Sequence, residues 1–350
     1  MTKRALVLAG GGARGAFQVG MLRELVAAQG LDFQILRGVS VGALNTAFLA
    51  QAPTAPDSLG ELKKKCAELE NLWRVEIKGN DSVYSKRLGG FVGLAVGADS
   101  LYSLDPLRRL LAKHLSHEAL NASGRDFAVG AASLVNATYH EATPSDPLFM
   151  EKLIASASIP VVFPFVDLKS TKDVMVDGGV RNITPLSSAF DGKPDEIYVL
   201  LTSRLIRDGD ALPKSGAQVN TYDQWRDNWL GTKVSGLDVL KRTVDILTDE
   251  IYLDDIRGAL DWNDVLKGIN EMNAATGTLG SRNPRFDQAL ASLKASTKKK
   301  RFVPINVLAP QEWYGEDNSS TEFSPGLIEK AIAHGQAIAA DPSRWLWRSG

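Results

Sequence analysis

Two short apolar runs, each broken by glycine and each followed by a helical pattern, constrain this chain more than any other feature. Residues 4–9, RALVLA, stop at Gly10-Gly11-Gly12. GAFQVGMLRELVAAQG follows, with Phe17, Met21, Leu22 and Leu25 at helical spacing and Gly30 as a stop. FQILRGVS makes the second run, and VGALNTAFLAQ opens a second helix. Strand, glycine loop, helix, strand, tight turn, helix is the rhythm of an α/β fold with a mainly parallel sheet.

The rest of the chain keeps to that rhythm. Helical patterns are predicted over 59–74 and 106–117. FAVGAASLVN reads as a buried strand, PLFMEKLIASAS as a helix, and DVMVDGG and EIYVLLTS as further strands. The chain turns polar from about 205 to 220, and a long helical region is expected over roughly 221–273. RFVPINVLAP reads as a late edge strand, because Pro304 suits an edge better than a central position. PGLIEKAIAHGQAIAAD is a closing helix.

A net charge of −1 over 350 residues implies no general affinity for nucleic acid. The single cysteine, Cys66, allows no intramolecular disulfide, in keeping with a reducing, cytoplasmic setting. Ala5–Ala9 is too short an apolar run for a secretory signal. LGGFVGLAVGA is too short and too rich in glycine to span a membrane, but LGGFVGLAVGADSLY suits a flap or apolar rim that meets acyl chains. The basic run Lys298-Lys299-Lys300-Arg301 reads as a solvated loop edge, with transient contact to a membrane surface as the alternative.

Gly10-Gly11-Gly12-Ala13-Arg14-Gly15 satisfies the G-x-G-x-x-G pattern of dinucleotide sites between a strand and a helix. That reading also wants a carboxylate at the end of the next strand; Asp32 lies before the strand, and the strand runs into Gly38 and Ser40 instead. The same loop suits an oxyanion hole, because amides at a helix N-terminus point outward and glycine lets a substrate approach them. A nicotinamide-binding α/β protein and an acyl-transfer enzyme are both open at this point.

Gly38-Val39-Ser40-Val41-Gly42 is the G-x-S-x-G spacing, and strand before and helix after give it the context of a nucleophile elbow. A serine needs a base. His114 and His117 stand three apart in a basic helical stretch and read as solvated surface. His140 ends a polar strand, and His334 lies in the closing helix, from which a Ser–Asp–His triad would keep the α/β-hydrolase order. Asp177 is placed otherwise: VMVDGG delivers its carboxylate at the end of a buried strand, where active sites of open α/β sheets collect, with Gly178 and Gly179 allowing close approach. An Asp-Gly pair is also an ordinary turn.

GGGARGAFQVGML, GVSVGALN, ASASIPVVFPF and VDGGVRNITPL together, in this order, resemble the patatin-like phospholipase family over about residues 4–202. The resemblance implies a three-layer α/β/α fold with a mainly parallel central sheet. It implies a catalytic core over 1–205; residues 206–350 read from their own pattern as a helical extension with a closing strand and helix, packed on the same domain. It implies a Ser40–Asp177 dyad without histidine and an oxyanion held by the Gly10–Gly15 loop, with Arg14 either holding that loop or meeting substrate. The activity implied is hydrolysis of (phospho)lipid esters through an acyl-enzyme, or acyl transfer with the same dyad, and neither needs a cofactor or metal.

Overall fold

The computed structural model describes residues 2–87, 97–203, 239, 256–275, 284–297, 300–311 and 320–348. The central sheet has nine strands among the described residues. Its parallel heart is formed by β1 (Arg4–Leu8) and β2 (Ile35–Val39) with three later strands. A separate two-stranded ribbon pairs β3 (Ser85–Lys86) with β4 (Tyr102–Ser103). Then come β5 (Asp126–Ser133), β6 (Tyr139–Ala142), β7 (Val166–Leu168), β8 (Asp173–Asp177), β9 (Glu196–Leu200), β10 (Ile305–Leu308) and β11 (Trp347–Arg348). The order across the sheet is β11-β10-β9-β1-β2-β5-β8-β7, with β6 pairing β5. The steps from β10 to β5 are parallel, and those to β6, β7, β8 and β11 are antiparallel.

Strand alternation divides the core into two halves, which makes the fold three-layered. Leu6, Leu8, Leu36, Leu200 and Leu308 face one side. There they meet α1 (Gly15–Leu22), α2 (Val41–Ala50), α3 (Ser58–Asn71), α6 (Phe149–Ser156) and α9 (Pro325–Ala340). Between α3 and α6 lie α4 (Asp105–His114) and α5 (His117–Ala122). Ala5, Val7, Ile35, Ile197, Val199 and Val307 face the other side, against α7 (Leu186–Asp191) and the helical segment 256–275. A further helix, α8 (Pro284–Ser296), precedes β10. Parallel strands covered on both faces must be apolar throughout, which is why β1 and β9 read as uninterrupted apolar runs.

Several local expectations change. The helix expected over 106–117 is two helices, because Leu115 is extended, so His114 and His117 do not share a face. Helices α1 and α3 end in wider turns at Arg23–Ala28 and Leu72–Glu76. β10 is not the edge: β11 covers Asn306 and Val307 on its outer side. Most of the helical region expected over 221–273, residues 88–96 of the expected flap, and Lys298-Lys299 lie outside the described residues.

Close backbone packing joins α1 to α9. A Cβ at Gly20 would lie 1.9 Å from the Ile332 carbonyl oxygen, and one at Gly335 would lie 2.1 Å from that of Phe17. The two backbones touch, and α9 is thereby fixed on α1. Gly335→Ala is expected to destabilise the protein by about 1–3 kcal/mol. An unconstrained helical glycine would instead gain up to about 1 kcal/mol from alanine. Chemical denaturation checks the sign: an increase in stability would mean that the helices are not in backbone contact.

Candidate active site

Strand β5 is the ruler on which the site is measured. Val39 of β2 lies opposite Gly130, and Asp177 of β8 lies opposite Ala131, the next residue along. β6 pairs with Val129–Ala132, overlapping both registers, and so takes the other edge of β5. β2 and β8 therefore run toward each other along one edge and meet end to end. Ser40 leaves the end of one, and Asp177 ends the other. Gly178 makes the close meeting sterically feasible, since a Cβ there would stand 2.5 Å from the Gly130 carbonyl oxygen.

Ser40 has φ 56° and ψ −130°, a conformation that a side chain rarely adopts. Such a residue costs on the order of 1–3 kcal/mol and persists only where its surroundings hold it. Here the Ser40 amide donates to Ser156 Oγ at 2.9 Å. The turn is also wedged from below: a Cβ at Gly42 would lie 2.1 Å from the Leu8 carbonyl oxygen. The outcome is a serine at the N-terminus of α2, where the helix field favours a developing negative charge.

The segment Ala155-Ser156-Ala157-Ser158 ties both halves together. Ser156 holds Ser40, and the Ser158 carbonyl accepts the Asp177 amide at 2.9 Å. Both serines are fully buried. In the sequence, two serines in an otherwise apolar helix end are the one sign of this role. Ile183 has no such sign. Its Cδ1 would lie 2.8 Å from a Cβ at Gly10 and 2.7 Å from one at Gly179, so it packs the glycine loop against the Asp177 turn.

Asp177 is almost fully buried, at 4% exposure. Burial pushes its carboxyl up to about 7, against the opposing pull of the Ser40 hydroxyl and of the Gly179 amide. The Gly179 amide donates to Oδ1 at 2.8 Å. Oδ2 closes no hydrogen bond of normal geometry, so the interaction with the Ser40 hydroxyl is the looser of the two. Arg181 is exposed, and no cation enters the balance that sets the Asp177 carboxyl.

The glycine loop divides into committed and uncommitted amides. Ala13 donates to the Ser320 carbonyl at 2.6 Å, Arg14 to the Gly11 carbonyl at 3.2 Å, and Gly15 to carbonyls of its own turn. The amides of Gly11 and Gly12 have no hydrogen-bond partner among the described residues. The Arg14 side chain is buried and donates to Ser203 Oγ at 2.9 Å, tying the loop to the chain just beyond β9. A dinucleotide finds little here. A Cβ at Gly12 would sit 2.0 Å from the Ser320 carbonyl oxygen, so the loop is already covered. Asp32 is committed to Arg125 at 3.1 Å and to the Gln34 amide group.

From Ser40 an apolar pocket with a cavity volume of about 80 Å³ runs inward. Gly12, Ser40 and Ser320 lie on it, and Val41, Leu44 and Phe48 of α2 form one wall. Leu107 and Leu111 of α4 form another. Asn45 also reaches this wall, where it accepts from the Trp73 indole at 3.0 Å and donates to Gln18 at 3.0 Å. Gln18 in turn holds the carbonyls of Ala9 and Leu200, at the ends of β1 and β9. A buried polar chain thus links the pocket wall to the root of the glycine loop.

No hydrogen bond joins any histidine to Ser40 or Asp177. His334 meets the Phe17 ring edge-on at 5.3 Å, and His140 contacts Thr138 at 2.6 Å. His117 contacts the Pro144 carbonyl, and His114 lies 3.0 Å from the Glu76 carboxylate. His114 differs from expectation: it is not solvated surface but a half-buried part of the pocket lining. Among the described residues, no cluster of three or more His, Cys, Asp or Glu could hold a metal ion, and no helix is long and apolar enough to cross a membrane.

Comparison with known proteins adds three findings. A 69-residue stretch is 41% identical to lysophospholipase nte1 of Aspergillus terreus; it is 20% of this chain and 4% of that protein, so the chain spans only a small part of that relative. VipD of Legionella pneumophila superposes with a TM-score of 0.33 at 15% identity, over 69% of this chain and 58% of that one, a likeness too slight to carry an argument. The family model of the patatin-like phospholipases matches residues 6–190, more than half of the chain, with the glycine loop, Ser40 and Asp177 inside the match. The chain belongs to the patatin-like phospholipase family.

Proposed function

We propose that the protein is a serine acyl hydrolase of lipid carboxylic esters, with Ser40 as nucleophile and Asp177 as general base. The observation that carries this reading is the meeting of the two residues on the edge of β5, at the mouth of an apolar pocket. Asp177 takes the proton of Ser40 as Oγ attacks the ester carbonyl. The amides of Gly11 and Gly12 receive the oxyanion, fixed in place before charge develops. Protonated Asp177 returns the proton to the departing alcohol. Water then gives its proton to Asp177 as it attacks the acyl-enzyme, and Asp177 passes that proton to Ser40 Oγ as the bond from Oγ to the acyl carbon breaks and the fatty acid leaves.

The acyl chain goes into the pocket, which α2 lines with Val41, Leu44 and Phe48 and with Asn45 as its one polar side chain there. The head group stays at the mouth, and nothing in the dyad selects it. An acyltransferase would use the same residues with an alcohol in place of water; product analysis with a lysolipid acceptor present separates the two.

Ser40→Ala is expected to lower ester hydrolysis by about 10⁴-fold or more in a folded protein. Asp177→Asn is expected to do the same, and the double variant to be no worse than either, since the two act as one unit. Single-turnover rates on a soluble ester check this. Substantial turnover by Asp177→Asn would remove the carboxylate from the mechanism.

The buried carboxyl also sets a pH dependence. The base is active only when ionised, so kcat/KM should fall as pH drops through about 7, with one limb that survives replacement of any histidine. Stability moves the other way. The folded carboxyl is raised from 3.8 to about 7, so the unfolded chain releases its proton first as pH rises. Wild type therefore loses stability across that window and levels off above it. Asp177→Asn escapes the loss, and its advantage in Tm should grow from acid pH to about 7 and then stay constant. A constant difference across the whole range would mean that Asp177 is not raised.

A further inference from the structure

The geometry points to Phe48 and His114 as the wall that ends the acyl pocket and sets the longest chain that fits; this rests on the hydrolase reading above. These two are the residues shared by the inner pocket and a more open outer cleft lined by Ala67, Glu68, Asn71 and Glu76. They are thus the partition between the acyl pocket and the outside at the end away from Ser40.

The partition is built and held. Phe48 is buried, and its ring centroid lies 6.1 Å from that of His114. His114 is fixed on its other side by Glu76 at 3.0 Å. Gln51 binds the ends of the two helices that carry the wall: its Nε2 donates to the His114 carbonyl at 3.1 Å, and its Oε1 accepts from the Ser116 amide at 2.9 Å. The C-termini of α2 and α4 are stapled together just behind the two rings.

The depth follows from helix geometry. Ser40 and Phe48 are eight residues apart on α2, which at 1.5 Å per residue is about 12 Å. An extended hydrocarbon of ~1.5 Å bonds at near-tetrahedral angles advances about 1.25 Å per carbon, so about nine or ten carbons reach the wall. A medium acyl chain fills the pocket, and a long one must push through Phe48 and His114 into the outer cleft.

The test compares butyrate, octanoate and palmitate p-nitrophenyl esters with wild type, His114→Ala and Phe48→Ala. Wild type is expected to turn over octanoate best, and each variant to raise the palmitate-to-octanoate ratio of kcat/KM by about tenfold or more. Phe48→Trp, which thickens the wall, is expected to shift preference toward butyrate, and it keeps the test open should Phe48→Ala not fold. In parallel, octanoate and palmitate displace a fluorescent fatty acid from Ser40→Ala with and without His114→Ala, which reads chain length without catalysis. Turnover with a length profile unchanged in His114→Ala and in a folded Phe48 variant overturns the wall and leaves the hydrolase standing. Absence of Ser40-dependent turnover overturns the hydrolase reading, and unchanged displacement by palmitate then overturns the wall independently.

Discussion

The end-to-end meeting of β2 and β8 on one edge of β5 is the constraint from which the rest of the site follows. Parallel pairing with β2 stops at Gly130, and antiparallel pairing with β8 starts at Ala131. A strand that reverses the sense of its neighbours within one edge leaves two chain ends facing each other. Each end needs the chain to turn away sharply, one into α2 and the other into the Gly178-Gly179 turn. The strained backbone of Ser40 and the glycines around both residues are consequences of that geometry. The buried pair Ser156 and Ser158 holds both ends from the same segment, so neither can drift without the other.

The same burial that confines Asp177 suits it to the proposed role of base. An exposed aspartate is ionised at neutral pH and a weak base. A desolvated one is a stronger base that a working pH can still ionise. The site trades stability for that property, since a carboxyl with one unsatisfied oxygen inside the core is costly. Neither an imidazole nor a cation relieves it, and the balance rests on one hydroxyl and one amide.

Much of this was legible in the sequence, and the parts that were not share a physical reason. The apolar run of β1, the turn at Ser40 and the strand leading to Asp177 are local patterns, and each appears where its pattern predicts. The two-faced core follows from period-two alternation. What escaped was long-range. No spacing says that Ser156 reaches Ser40 across 116 positions or that Ile183 fills the gap between two glycine turns. His114 was misplaced because helix continuity was assumed through Leu115, where the chain is extended, and because a histidine among basic residues reads as solvated. Of the Gly10–Gly15 loop, pattern alone could not separate amides spent within the fold from those left open. That distinction depends on Ser320, three hundred residues away.

Ser320 also sets an order of events. Ser40, Asp177 and the whole family-matched segment lie in the first 190 residues. The carbonyl that pins Ala13 stands at 320, and the helix whose backbone locks onto α1 begins at Pro325. During synthesis from the N-terminus, the proposed nucleophile and base are made long before the residues that hold the glycine loop in shape. On the proposed mechanism, the loop that would receive the oxyanion gains its support only once Ser320 is made, so a chain interrupted before it would carry Ser40 and Asp177 without the contact that holds Ala13.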